Sequence, residues 1–245
     1  MKTVRTFLFV VWFYLSMAVV AVGLSPALLM GHRQAMGVVH IWARTALWGY
    51  RWIAGVKVQT LGREHVPTGG ALVASKHQGL LDFVALIAVL PDPCFVLKKE
   101  LTHMPFLGWF GVKTKMIAVD RDGHAKALKD MVRNARDRLA EGRQIIIFPE
   151  GTRAEVGAKP EYKPGIAALY RELETPCIPV ATDSGVWWPA KGTIPQGVAT
   201  FEFLEPIPAG LKRAPFMVEL EQRIETASTA LLASDDTRRR FKPQA

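Results

Sequence analysis

In the stretch Lys76-His77-Gln78-Gly79-Leu80-Leu81-Asp82 a histidine and a carboxylate stand five positions apart. An imidazole whose second ring nitrogen donates to a carboxylate is held in one tautomer and becomes a better base, as in Ser-His-Asp sites. Residues five apart on a continuous helix point to different faces, so His77 and Asp82 meet only if the chain turns between them. Gly79 offers the freedom for that turn. No G-x-S-x-G elbow occurs anywhere in the chain, and Ser75, inside the preceding strand, is not placed as a nucleophile beside a base. The nucleophile is then expected to belong to the substrate.

The elements around the pair are an apolar run, Ala71 to Ser75, which suits a buried strand, and Phe83 to Leu90, which suits a buried helix stopped by Pro91. By itself an H-x4-D spacing arises often by chance, and a lone histidine is usually structural. Three later stretches add weight: Lys98-Lys99-Glu100-Leu101, Val119-Asp120-Arg121 and Phe148-Pro149-Glu150-Gly151-Thr152-Arg153. Each puts cations at the end of an expected strand, where active sites of α/β domains collect. Arg121 can make a forked contact to phosphate that lysine cannot, although a surface salt bridge with Asp120 or Asp122 is the plainer alternative. Gly151 lets backbone amides approach a ligand. Glu150 and Arg153 could instead pair with each other across the turn.

The order KHQGLLD, KKEL, VDR, FPEGTR and CIPVA resembles the glycerolipid acyltransferase family, and within it the bacterial lysophosphatidate acyltransferases, from about Gly62 to Ile207. That family often has Asn before the histidine and Ser in the middle of the motif, where Lys76 and Gly79 stand here. The resemblance implies His77 and Asp82 as catalytic residues. It implies Lys98, Arg121, Glu150, Gly151, Thr152 and Arg153 as binding residues for the acceptor, with Arg153 on its phosphate and Glu150 holding the loop. The implied reaction moves a fatty acyl group from acyl-coenzyme A or acyl carrier protein to the sn-2 hydroxyl of 1-acylglycerol-3-phosphate, with neither metal nor bound cofactor. Three alternatives stay open: another acceptor such as lyso-ornithine lipid, a non-catalytic lipid-binding protein, and a hydrolase in which water replaces the hydroxyl.

From Thr6 to Gly31 the chain has no Asp, Glu, Lys or Arg. As a helix this run reaches about 39 Å against roughly 30 Å of hydrocarbon. It exceeds the apolar core of a secretory signal and offers a poor cleavage site between Ala18 and Ser25, so retention is expected. His32 to Val56 interleaves Arg33, Arg44 and Arg51 with Trp42, Trp48, Tyr50 and Trp52, which suits a membrane interface or, alternatively, a core helix with tryptophans turned inward. A single span and a hairpin dipping into one leaflet, bent at Ser25-Pro26, are both open. With 31 Lys and Arg against 22 acids the net charge is +9, which suits an anionic membrane or a phosphate-bearing substrate. The bases are dispersed without a nucleic-acid-binding spacing, so no nucleic-acid partner is expected. Cys94 and Cys177 support neither a disulfide framework nor a metal site.

Further strands are expected at Val56 to Leu61, Cys94 to Leu97, Met116 to Val119, Gln144 to Phe148, Cys177 to Ala181 and Val198 to Leu204, the prolines of the fifth pointing to a sheet edge or a strand end. Amphipathic helices are expected from His124 to Glu141 and from Pro215 to Leu232. Pro105 to Val112 can pack under the site or cover an acyl chain, and Trp187 and Trp188 can face lipid or core. The fold expected is α/β, a central mixed sheet flanked by helices and preceded by a membrane-associated helical segment. Its divisions are 1–55 for the membrane anchor, 56–233 for the α/β domain and 234–245 for a basic tail. The expected location is the cytoplasmic membrane, with lysophospholipid as partner and the catalytic domain on the cytoplasmic side.

Overall fold

A computed structural model describes residues 2–120, 123–158 and 160–234; Arg121 and the basic tail from 235 lie outside the described residues. Seven short strands form one sheet: β1 Val56–Leu61, β2 Ala71–Ser75, β3 Pro93–Lys98, β4 Ile117–Val119, β5 Gln144–Ile147, β6 Cys177–Thr182 and β7 Gly197–Phe203. Their order is β1-β7-β6-β2-β5-β3-β4. The pairs are parallel except β6 with β7, so the sheet is mixed. The carboxyl ends of β2 through β6 therefore share one edge. At that edge lie, in turn, His77 after β2, Lys98 closing β3, Asp120 after β4, Glu150 after β5 and Ser184 after β6.

The helices are α1 Lys2–Gly23, α2 His32–Gly49, α3 Leu80–Val89, α4 Leu107–Lys113, α5 His124–Ala140, α6 Pro164–Leu173, α7 Ser184–Trp187 and α8 Arg213–Leu232. Both sheet faces are covered, which is why β2 is buried at all five positions and is a continuous apolar run in sequence. Period-two alternation divides the core. Val73 and Val180 turn to the side of α1, α2 and α3, while Leu72 and Ala74 turn to α5, α6 and α8.

The first two helices form a hairpin laid along the domain rather than a detached anchor. Phe9 of α1 meets Tyr50 and Trp188 with ring centroids 5.0 Å apart, Phe13 meets Trp188 at 5.1 Å, and Trp42 of α2 joins the same core. Arg5 Nε donates to the Ile53 carbonyl at 2.9 Å, and the Ile194 amide donates to Thr6 Oγ1 at 3.0 Å. Farther along, His32 Nε2 lies 2.9 Å from Asp92 Oδ2 and His40 Nε2 lies 3.1 Å from the Pro91 carbonyl. The tryptophans divide: Trp42 and Trp187 are core, while Trp48 and Trp52 are exposed.

β6 is not at an edge, one of the two positions its prolines suggested. Pro179 is paired with Ala74 of β2 on one side, whereas the ladder to β7 begins only at Val180. The missing Pro179 N–H falls where the strand changes partners, and its carbonyl still accepts the Leu204 amide at 2.9 Å.

Candidate active site

His77 and Asp82 meet because α3 starts between them. Asp82 is the third residue of α3, and its Oδ2 accepts from the Gln78 and Gly79 amides at 2.5 and 2.8 Å, satisfying donors that the helix leaves open. Oδ2 also lies 2.9 Å from His77 Nδ1; a carboxylate only accepts, so Nδ1 carries the proton and Nε2 keeps its lone pair. Nε2 has no hydrogen-bond partner among the described residues, and the side chain is 19% exposed while Asp82 is fully buried. The ring stacks on Phe148, with centroids 4.1 Å apart at 19°. The arrangement presents a base at the open edge and hides its carboxylate. Gly79 contributes differently from expectation: its φ of −171° is open to any residue, whereas a Cβ there would stand 3.3 Å from the Trp188 carbonyl.

The loop after β5 grips the histidine's backbone. Glu150 Oε1 accepts the His77 amide at 3.2 Å, and the Ala154 amide donates to the His77 carbonyl at 2.7 Å. Glu150 is buried and forms no ion pair with Arg153 among the described residues, so the cross-turn pairing considered from sequence is absent. It faces the His77 backbone, not the open edge where a substrate-binding carboxylate would stand. Burial pushes its carboxyl up to about 7, against the opposing pull of amide hydrogen bonds and the Lys76 charge. Gly151 takes a φ of 68° in the turn, closed by its amide on the Phe148 carbonyl at 3.0 Å. Thr152 and Arg153 are exposed.

Lys98 is exposed at the end of β3, in register with Val119 of β4. Lys99 pairs with Asp120 at 3.1 Å. Lys76 follows Leu72 and Ala74 to the opposite face of the sheet, where Nζ lies 2.6 Å from Glu225 Oε1 of α8 and Tyr162 donates to the same oxygen at 3.0 Å. Its charge is therefore spent behind the site. Among the described residues no three His, Cys, Asp or Glu side chains gather as a metal's ligand set would.

Sequence reasoning missed Ser184, whose hydroxyl donates to Asp82 Oδ1. The two residues are 102 positions apart, and only the neighbouring placement of β2 and β6 joins them. An apolar cleft of about 530 Å³, counting space open to solvent, lies between the hairpin, α3, the end of β3 and α4. Met17, Val38, Phe83, Leu97, Phe106 and Phe110 line it. Phe83 packs on Phe95 at 4.2 Å and Phe95 on Phe148 at 6.1 Å, so one aromatic file connects the cleft wall to the His77 ring.

A family model described as Acyltransferase matches residues 57–183. The 1-acyl-sn-glycerol-3-phosphate acyltransferase of Pseudomonas aeruginosa is 36% identical over 155 residues, 63% of this chain and 60% of that protein. The Helicobacter pylori protein of the same name is 36% identical over 108 residues, 44% of each chain. The chain thus spans less than two thirds of the length of these relatives. The crystal structure of the 1-acyl-sn-glycerophosphate acyltransferase PlsC from Thermotoga maritima superposes with a TM-score of 0.78 over 96% of this chain and 99% of that one, at 19% identity, a likeness of fold. Because the family match runs from Lys57 in β1 past the end of β6, just over half of the residues, the chain belongs to the Acyltransferase family.

Proposed function

We propose that the protein transfers a fatty acyl group from an acyl-coenzyme A or acyl carrier protein thioester to the sn-2 hydroxyl of 1-acylglycerol-3-phosphate, giving phosphatidic acid. The observation that carries this is the His77–Asp82 pair at 2.9 Å with Nε2 presented at the open edge, in a family whose bacterial relatives bear that activity's name. His77 Nε2 takes the hydroxyl proton as the oxygen attacks the thioester carbonyl, and Asp82 stabilises the imidazolium. Collapse of the tetrahedral intermediate breaks the carbon–sulfur bond, and the departing thiolate takes the proton back from Nε2. A thiol of pKa about 8.5 needs no stronger acid. No metal or bound cofactor has a part in this reading.

The acceptor's phosphate is assigned to Lys98, Arg121 and Arg153 with the Gly151-Thr152 turn, which fixes the hydroxyl for attack. Glu150 holds the loop against His77. The apolar cleft is the assigned seat for a fatty chain, since the file Phe83, Phe95 and Phe148 runs from its wall to the His77 ring.

Residues 1–55 are proposed as the membrane-seating segment, docked on the α/β domain at 56–233. The support is the apolar outer side of α1, where Phe7, Leu15, Val19 and Val22 are more than half exposed, together with exposed Trp48 and Trp52 at the end of α2. A hairpin bound to the domain along its length fits one leaflet rather than a span, with the domain on the cytoplasmic side.

Thiol release from acyl-coenzyme A and from acyl carrier protein, measured with and without lysophosphatidate and with His77→Ala as control, tests the reading. Release that requires lysophosphatidate, yields phosphatidate and vanishes in the variant is expected. Free fatty acid as product, or unchanged turnover in His77→Ala, would overturn it.

A further inference from the structure

Asp82 is fully buried, and its two oxygens are served from different parts of the chain. Oδ2 takes His77 Nδ1 and the Gln78 and Gly79 amides, all from the loop that leads into α3. Oδ1 takes the Ser184 hydroxyl, from the far end of β6. Three donors hold one corner of the carboxylate and Ser184 holds the other, so the plane is fixed from both sides and each oxygen shares its charge with a donor.

Ser184 is itself fully buried and rigidly held. Its amide donates to Thr182 Oγ1 at 3.0 Å, and Thr182 donates to the Thr200 carbonyl of β7 at 2.8 Å. The next amide, Gly185, donates to Gln78 Oε1 at 3.0 Å, joining this turn directly to the residue beside His77. The Trp188 amide donates to the Ser184 carbonyl at 2.8 Å, and the Trp188 ring is packed against Phe9, Phe13 and Tyr50. A serine whose backbone is pinned to β7, to the loop before α3 and, through Trp188, to the hairpin keeps its hydroxyl at Asp82.

We propose that Ser184 is a positioning residue for the His77–Asp82 pair: it holds the second corner of the Asp82 carboxylate and draws charge from Oδ1, setting both the direction and the basicity of His77. The proposal rests on the reading of His77 as the base. The other charged or titratable groups near the pair are Glu150 from the loop after β5, Lys76 at the end of β2, Asp183 before α7 and Tyr50 from the hairpin. None of them changes in a Ser184 variant.

The test uses the full chain in detergent, as wild type, Ser184→Ala and Ser184→Thr. The His77 ring is titrated by NMR with labelled histidine, the His77→Ala variant providing the assignment. Without the hydroxyl Asp82 offers more charge to His77, so the titration midpoint is expected to rise by several tenths of a unit in Ser184→Ala, with threonine restoring it. In the transfer assay kcat falls roughly tenfold in Ser184→Ala at unchanged KM, and the acid limb of the pH profile moves up with the NMR midpoint. A purely structural serine would lower thermal stability without moving that midpoint. A His77 titration and a pH profile in Ser184→Ala that superpose on wild type would overturn the proposal. Should the alanine variant not fold, Ser184→Cys, a weak donor, is read in the same direction. The titration needs no turnover, so a wild type that makes no phosphatidate would defeat the proposed reaction while Ser184 is still judged by the His77 midpoint.

Discussion

The base at the open edge depends on two different kinds of residue: His77, which is left partly exposed, and Asp82 and Glu150, which hold it from inside. Glu150 has a measurable signature. Burial raises its carboxyl to about 7, above the ordinary glutamate value, so the fold holds the proton more tightly than the unfolded chain does. Its contribution to stability is then fully present below about 4.5 and is lost as pH rises towards 7, a change of about 3 kcal/mol at most. Glu150→Gln keeps an oxygen to accept the His77 amide and carries no charge. Its stability advantage over wild type is expected to grow between pH 5 and 8 in unfolding followed by circular dichroism, and a constant difference would contradict the assignment. Outward-facing charge gives a separate prediction. Lys98→Ala and Arg153→Ala are each expected to raise KM for lysophosphatidate roughly tenfold with kcat little changed, the behaviour of groups that bind phosphate in ground and transition state alike.

At the scale of elements, the shared edge of β2, β3, β4, β5 and β6 is what converts separate motifs into one site. The hairpin adds the second constraint, because α1 and α2 bury their aromatic side against the turn that carries Ser184, Trp187 and Trp188. Their mutual fit is close at Gly49, where a Cβ would stand 2.1 Å from Trp12 Cδ1, a ring pinned by its Nε1 donating to the Thr45 carbonyl at 3.1 Å. Gly49→Ala is therefore expected to part the two helices at a cost of about 1–3 kcal/mol. A lower thermal midpoint and faster proteolysis around residues 24–31 would report it; an unchanged midpoint would mean that Trp12 is free to move.

For the molecule as a whole, the exposed side of α1 and the net charge of +9 set its relation to lipid. Val19 is 61% exposed, so Val19→Asp removes almost no packing. If that side of the hairpin lies in the leaflet, the substitution is expected to weaken flotation with phospholipid vesicles roughly tenfold or more while leaving the circular dichroism spectrum unchanged. Added salt is expected to weaken the binding to anionic vesicles further, because the basic excess is screened.

Sequence alone determined much of the framework. The bounds of β1 and β2 follow from their apolar pattern and the turns that flank them, and a 3.6-residue periodicity places helices at 124–141 and 215–232, against 124–140 and 213–232 in the structure. The H-x4-D and EGTR motifs fall at the shared open edge because strand ends in an α/β sheet are where the chain can leave the core. Tertiary structure decided the rest, since it depends on which strands are neighbours and which face a side chain takes. Lys76 is one residue from His77, yet the period-two pleat sends it through the sheet to Glu225. Ser184 is 102 residues from Asp82, yet β6 lies beside β2 and delivers its hydroxyl to the hidden oxygen. Local periodicity records which residues are buried; only strand order and packing fix what they are buried against.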